Sequence, residues 1–143
     1  METKNNPQTM AAKIGEATGD KKLIAVGKWG CCAFTALWIV GLEDATDNIC
    51  TVIREMGKGL DDECTVYWNV FYKNVTGKNA TVERREIKNL SELKKIGRCA
   101  VRFDYQGASH WVGVEHGKVA FNSLEFSRCL TYGKPTTARI IRW

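Results

Sequence analysis

The segment Cys99–Leu124 reads CAVRFDYQGASHWVGVEHGKVAFNSL and contains two short turn signals between three runs rich in β-formers. The turn signals are Gln106-Gly107-Ala108-Ser109 and His116-Gly117-Lys118, and the runs on either side of them are short and rich in β-branched and aromatic residues. CAVRFDY, HWVGVEH and KVAFNSL therefore predict three strands joined by tight turns, and TARIIRW, ending at Trp143, predicts another. This part of the chain should form an antiparallel sheet.

Upstream of it the periodicity is helical. Cys32–Val40 is apolar except for Thr35, too uniform for a surface helix, and predicts a buried one stopped near Gly41. Asp44–Met56 places Ile49, Val52, Ile53 and Met56 at helical spacing and is closed by Gly57-Lys58-Gly59. Asn89–Gly97 predicts a short helix capped by Asn89 or Ser91. CTVYWNVFYKNV, Cys64–Val75, is compatible with a strand or a helix; its β-branched and aromatic content favours a strand, and Tyr67, Trp68 and Tyr72 are expected to pack in the core rather than to form a binding surface. Residues 1–20 are polar and are expected to form a flexible N-terminal arm, leaving residues 21–143 as one domain. Helices first and a sheet after is an α+β arrangement.

With 143 residues, 44% of them hydrophobic and 26% charged, and only two prolines, the chain has the composition of a folded globular domain. It has no apolar run near the roughly 20 residues a membrane span needs, and its N-terminus lacks the pattern of a secretory signal. A cytoplasmic, reducing setting is expected, with the six cysteines (Cys31, Cys32, Cys50, Cys64, Cys99, Cys129) as free thiols. The sequons at Asn74, Asn79 and Asn89 would have no meaning there. There is no CxxC pair and only two histidines, so neither a metal site nor a cofactor is expected. The formal charge of +5 is spread along the chain without the dense basic stripe of a nucleic-acid reader, although an acidic protein partner could use it.

The chemistry concentrates in GKWGCCAFTALWIVG, Gly27–Gly41. Two cysteines stand where the chain leaves a glycine turn and enters the apolar helix, and the positive end of a helix dipole favours a thiolate at that place. An imidazole must come from elsewhere. His110 opens one strand and Asn122 ends the next; a hairpin centred on His116-Gly117 brings the two side by side, so that Asn122 can hold one tautomer of the ring. His116 itself reads as a solvated turn residue, and Trp111, beside His110, either shields the His–Asn hydrogen bond or packs as an ordinary tryptophan.

The order Cys, His, Asn, with a helix before a sheet, resembles the papain-like cysteine peptidase superfamily. CAFTAL from Cys32 is similar to the cysteine-bearing helix start of the double-glycine leader peptidases and their phage-borne relatives, with Leu37 five positions after the cysteine. Ser109–Ile141, with its HWV, FNSLEF and YGKPTTARII, is similar to a small papain-like family of phage and prophage proteins of largely unassigned function. The resemblance implies a papain-like fold and a thiol hydrolase, a peptidase or amidase acting on a peptide or protein, with Cys32 as nucleophile, His110 as general base and Asn122 as orienting residue. Cys31 is the alternative nucleophile.

Such peptidases usually carry a Gln or Asn shortly before the cysteine to complete the oxyanion hole, and IAVGKWG has neither. Lys28, Trp29, Trp111 or a backbone N–H are the candidate substitutes. Losing one such donor lowers the rate roughly 100- to 1000-fold, so the alternative function is a protein-binding module, a phage accessory or inhibitor, on an inactive papain-like scaffold.

Overall fold

A computed structural model describes residues 6–143. Five helices come first: α1 (Pro7–Thr18), α2 (Lys21–Trp29), α3 (Cys31–Ile39), α4 (Ala45–Glu55) and α5 (Trp68–Thr76). Strands β1 (Thr81–Glu86), β2 (Arg98–Tyr105), β3 (Ala108–Glu115) and β4 (Lys118–Phe121) follow, then helix α6 (Arg128–Tyr132) and strand β5 (Lys134–Arg142). The strands form a single antiparallel sheet in the order β1-β5-β2-β3-β4. The architecture is α+β with the helices N-terminal.

Both faces of the sheet are covered, so the central strand β2 is buried on either side, Cys99, Ala100 and Val101 being wholly enclosed. Strand alternation sends Cys99, Val101, Phe103, Val112, Val114, Ala138 and Ile140 to one face, where Leu93 of a 3-10 helix (Leu90–Leu93) and Cys129 of α6 close the core. The other face meets the helices in a cluster that includes Phe34, Leu37, Trp38, Phe71, Tyr72 and Phe121. Burying a side chain such as Phe34 or Leu37 contributes about 1.5–3 kcal/mol.

The segment expected to be a flexible arm contains α1. Its first five residues lie outside the described residues; from Asn6 on it is docked rather than loose. Asn6, Pro7, Gln8, Ala11 and Gly15 are buried. A Cβ added at Gly27 would come within 2.5 Å of Ala12 Cα, so only glycine lets α2 cross α1 this closely. Polar composition pointed to an arm because buried Asn6 and Gln8 are held by hydrogen bonds, which a hydrophobic pattern does not show.

Cys64–Val75 is also corrected: it is a loop followed by helix α5. Tertiary packing overrides the β-propensity of these residues. Phe71 and Tyr72 fall on the buried side of the helix, the Tyr72 hydroxyl donates to Ala36 O at 2.8 Å, and Gly77 in the left-handed region ends it. Strand β1, TVERRE, gave little sequence signal because it is a charged edge strand paired only to β5.

The buried helix expected over Cys32–Val40 is α3. It follows α2 after a bend of 74° at Gly30. A Cβ there would lie 2.5 Å from Val26 O and 2.9 Å from Phe34 Cε2, which explains the glycine. No side chain caps the N-terminus of α3, leaving the first-turn N–H groups without a side-chain acceptor.

Candidate active site

The β3–β4 hairpin turns at His116-Gly117, both in the left-handed region, and pairs Glu115 with Lys118 and Val114 with Val119. Continued without interruption, that register would put Asn122 on the same face as Trp111 and away from His110. A bulge between Gly113 and Val114 shifts it by one, so that Gly113 pairs with Phe121. Phe121 then points to the helix face, stacked on Trp38 at 5.9 Å, and Asn122 is delivered to the face of His110. His110 Nε2 and Asn122 Oδ1 lie 2.7 Å apart, and both side chains are buried.

This contact also selects the tautomer. Leu124 N–H, which can only donate, reaches the same Asn122 oxygen at 3.1 Å, so that atom is the carbonyl acceptor. Nε2 must therefore carry the proton, which leaves Nδ1 as the basic nitrogen. Burial holds the His110 pKa below the ordinary imidazole value, while the Asn122 hydrogen bond acts in the opposite sense. The ring is thus a neutral base at neutral pH.

The two adjacent cysteines have different surroundings. β4 ends at the Gly113–Phe121 pair, and beyond it the Trp111 carbonyl faces Thr35 of α3. The Trp111 backbone lies beside the Cys31 thiol and acts to lower its pKa, and the Trp111 carbonyl lies 3.5 Å from the Thr35 hydroxyl, which donates to Cys31 O at 2.7 Å. The first turn of α3 thereby occupies the strand edge that β4 leaves, one residue from His110. Burial raises the Cys31 pKa; backbone hydrogen bonds from Trp111, Cys32 and Cys31 oppose that rise, and the nearby Cys129, on the face that carries His110, adds to it. Cys32 instead packs into the helix-side core near Tyr72 and Arg139. Its pKa is pushed well up by burial, then by Cys31, with Arg139 opposing. The thiol beside the Trp111 backbone is that of Cys31, which lies near Cys129 as well as Cys64 of the helix-side core, and the Cys32 thiol packs within that helix-side core.

The candidate oxyanion donors separate as well. Lys28 and Trp29 are exposed at the end of α2, with the Lys28 ammonium 4.7 Å from the Trp29 ring centroid. The Trp111 ring does not shield the His–Asn bond: alternation sends it to the opposite face, against Trp68 at 6.3 Å and under the Arg139 guanidinium at 5.2 Å. Only its backbone meets the thiol. Among the described residues, no group of three or more His, Cys, Asp or Glu side chains is arranged to hold a metal ion.

Sequence reasoning missed the residues that brace Asn122. Asn6 Nδ2 donates to Asn122 O at 2.7 Å, Gln8 N–H donates to Ser123 O at 2.9 Å, Ser123 Oγ donates to Gln8 Oε1 at 2.7 Å, and Gln8 Nε2 donates to Gly27 O at 3.1 Å. These partners are more than 100 residues apart, apart from Gln8 and Gly27, and no local pattern announces them. No protein-family model matches the chain, and no curated protein or solved structure matches it significantly. No single helix among the described residues is long and apolar enough to cross a membrane.

Proposed function

We propose that the chain is a papain-like thiol hydrolase, a cysteine peptidase or amidase, in which Cys31 is the nucleophile, His110 the general base and Asn122 the residue that holds the ring. The observation that carries this reading is the 2.7 Å His110–Asn122 bond, which leaves Nδ1 basic on the residue next to Trp111, whose backbone lies beside the helix-start thiol of Cys31. The sequence resemblance pointed to Cys32; the contact with the Trp111 backbone favours its neighbour.

In this mechanism Nδ1 takes the thiol proton as sulfur attacks a carbonyl carbon, giving a tetrahedral oxyanion. The uncapped N–H groups of α3 supply its stabilisation in place of an upstream amide side chain. The imidazolium then gives its proton to the leaving amine, and the thioester formed is hydrolysed by water with His110 again as base. Burial raises the thiol and lowers the imidazole, so the resting pair is neutral rather than an ion pair. The residues need no metal for these steps. The cytoplasm of an infected or lysogenic bacterium is the setting that the phage-like sequence suggests.

A second reading, a non-catalytic protein-binding scaffold, is favoured by the burial of His110, only 4% exposed, and by the upward shift of both thiols. Site-resolved iodoacetamide labelling near neutral pH separates the two. The enzyme reading expects Cys31 to react far faster than the other five thiols, and His110→Ala to remove the difference. Uniformly slow labelling, unchanged in His110→Ala, selects the scaffold.

A further inference from the structure

A groove of about 450 Å³ opens between α5 and the β1 edge of the sheet, lined by Tyr67, Trp68, Val70, Val82, Arg84 and Arg139. Arg84 and Arg139 are direct partners across β1 and β5, so two like charges face each other on the same side of the sheet. Such a pair is unfavourable without an anion to share. Neither arginine takes part in an ion pair among the described residues, whereas Arg85, Arg98, Arg102 and Arg142 all do. Glu86, two residues from Arg84 on the same face, is exposed and pairs with neither.

Arg139 is the more constrained of the two. Its guanidinium lies over the Trp111 ring, and its Nη1 is buried without a hydrogen-bond partner. A buried guanidinium nitrogen with no acceptor is costly, and an oxyanion in the groove would relieve that cost. The exposed walls are apolar: Tyr67 keeps 51% and Val70 49% of their surface in solvent.

We propose that this groove is a binding site for a small phosphomonoester, its dianionic phosphoryl group held between Arg84 and Arg139 and its apolar or aromatic body resting on Tyr67 and Val70. Two guanidinium groups match a dianion with three oxygens better than they match a single carboxylate. The site lies on the helix side of the sheet, opposite His110, and stands whether or not Cys31 is a nucleophile.

The test is an NMR titration of the full chain with phenyl phosphate, following the tryptophan indole N–H signals, with inorganic phosphate and benzoate as parallel probes. Phenyl phosphate should shift the Trp68 and Trp111 signals saturably, leave those of Trp29 and Trp38 in place, bind more tightly than either comparison probe, and weaken as salt is added. Arg84→Ala, at an exposed position, should weaken it about 10-fold or more. Arg139→Lys, which keeps the charge but loses the planar fork, should also weaken it while the melting temperature shows the variant folded. The proposal fails if no saturable shift appears at Trp68 and Trp111, if benzoate binds as tightly, or if a folded Arg84→Ala binds undiminished.

Discussion

His110 and Asn122 face each other across the β3–β4 hairpin at 2.7 Å, and the Leu124 N–H on the same Asn122 oxygen obliges the histidine to donate through Nε2. Replacing Asn122 by Ala removes the acceptor that selects this tautomer. We expect Cys31 alkylation at neutral pH to slow about 10- to 100-fold, the effect of losing one buried hydrogen-bond partner. Asn122→Asp, which retains an acceptor, should recover part of the rate; an Asn122→Ala protein that labels as fast as the wild type would remove the residue from the site.

The doublet gives a second prediction. Cys31→Ser should abolish the fast-labelling thiol and any amide hydrolysis, while Cys32→Ser keeps both, because the Trp111 backbone meets Cys31 and the Cys32 thiol packs near Tyr72 and Arg139. His110→Ala should reduce turnover by roughly 100- to 10,000-fold, the usual contribution of a positioned base. Loss of fast labelling in Cys32→Ser with retention in Cys31→Ser would reverse the assignment.

A pH dependence of stability follows from the same groups. The folded-state pKa of His110 is lowered, so its contribution is present above the ordinary imidazole value of about 6.5 and is lost as pH falls through the folded value. The thiols of Cys31, Cys32 and Cys64 are raised, the last to about 12, so they stabilise the fold below the ordinary thiol range and that contribution is lost as pH rises. Urea midpoints should therefore fall on both sides of neutrality. In His110→Gln the acid-side decline should become shallower; an unchanged acid limb would assign that decline to other groups.

Gln8 joins three segments through one side chain, donating to Gly27 O and accepting from Ser123 Oγ. Gln8→Ala leaves both groups buried without their partner and should destabilise the protein by about 1–3 kcal/mol. Thermal or urea unfolding measures this. Slower Cys31 labelling in the still-folded variant would show that the brace also positions Asn122.

Gly113 has no room for a side chain. An added Cβ would lie 2.4 Å from Trp38 Cε3 and 2.9 Å from Phe121 Cβ. Gly113→Ala must push apart the Trp38–Phe121 stack beside the bulge, and overpacking of this kind costs about 1–3 kcal/mol. Because the bulge orients Asn122, labelling of Cys31 should fall along with stability; a variant as stable as the wild type would show that the stack moves without strain.

The amino-acid sequence by itself determined the order of helices and sheet, the buried helix behind the two cysteines and the hairpin at His116-Gly117. Each of these is written in local periodicity or turn chemistry, which act between residues close along the chain. It left α5 undecided and weighted towards a strand, because Trp68 and Tyr72 have β-propensity but a helical burial pattern set by packing on α3 and β1. It left α1 unseen for the complementary reason: Asn6 and Gln8 are buried through hydrogen bonds to residues near Ser123 rather than through an apolar stripe. Only the tertiary structure decided which cysteine meets the histidine's strand and on which face Asn122 emerges. Both depend on a single residue step: along α3 it turns a side chain by about 100°, and at the Gly113 bulge it reverses the direction of a strand side chain, while the composition and pattern of the sequence stay unchanged.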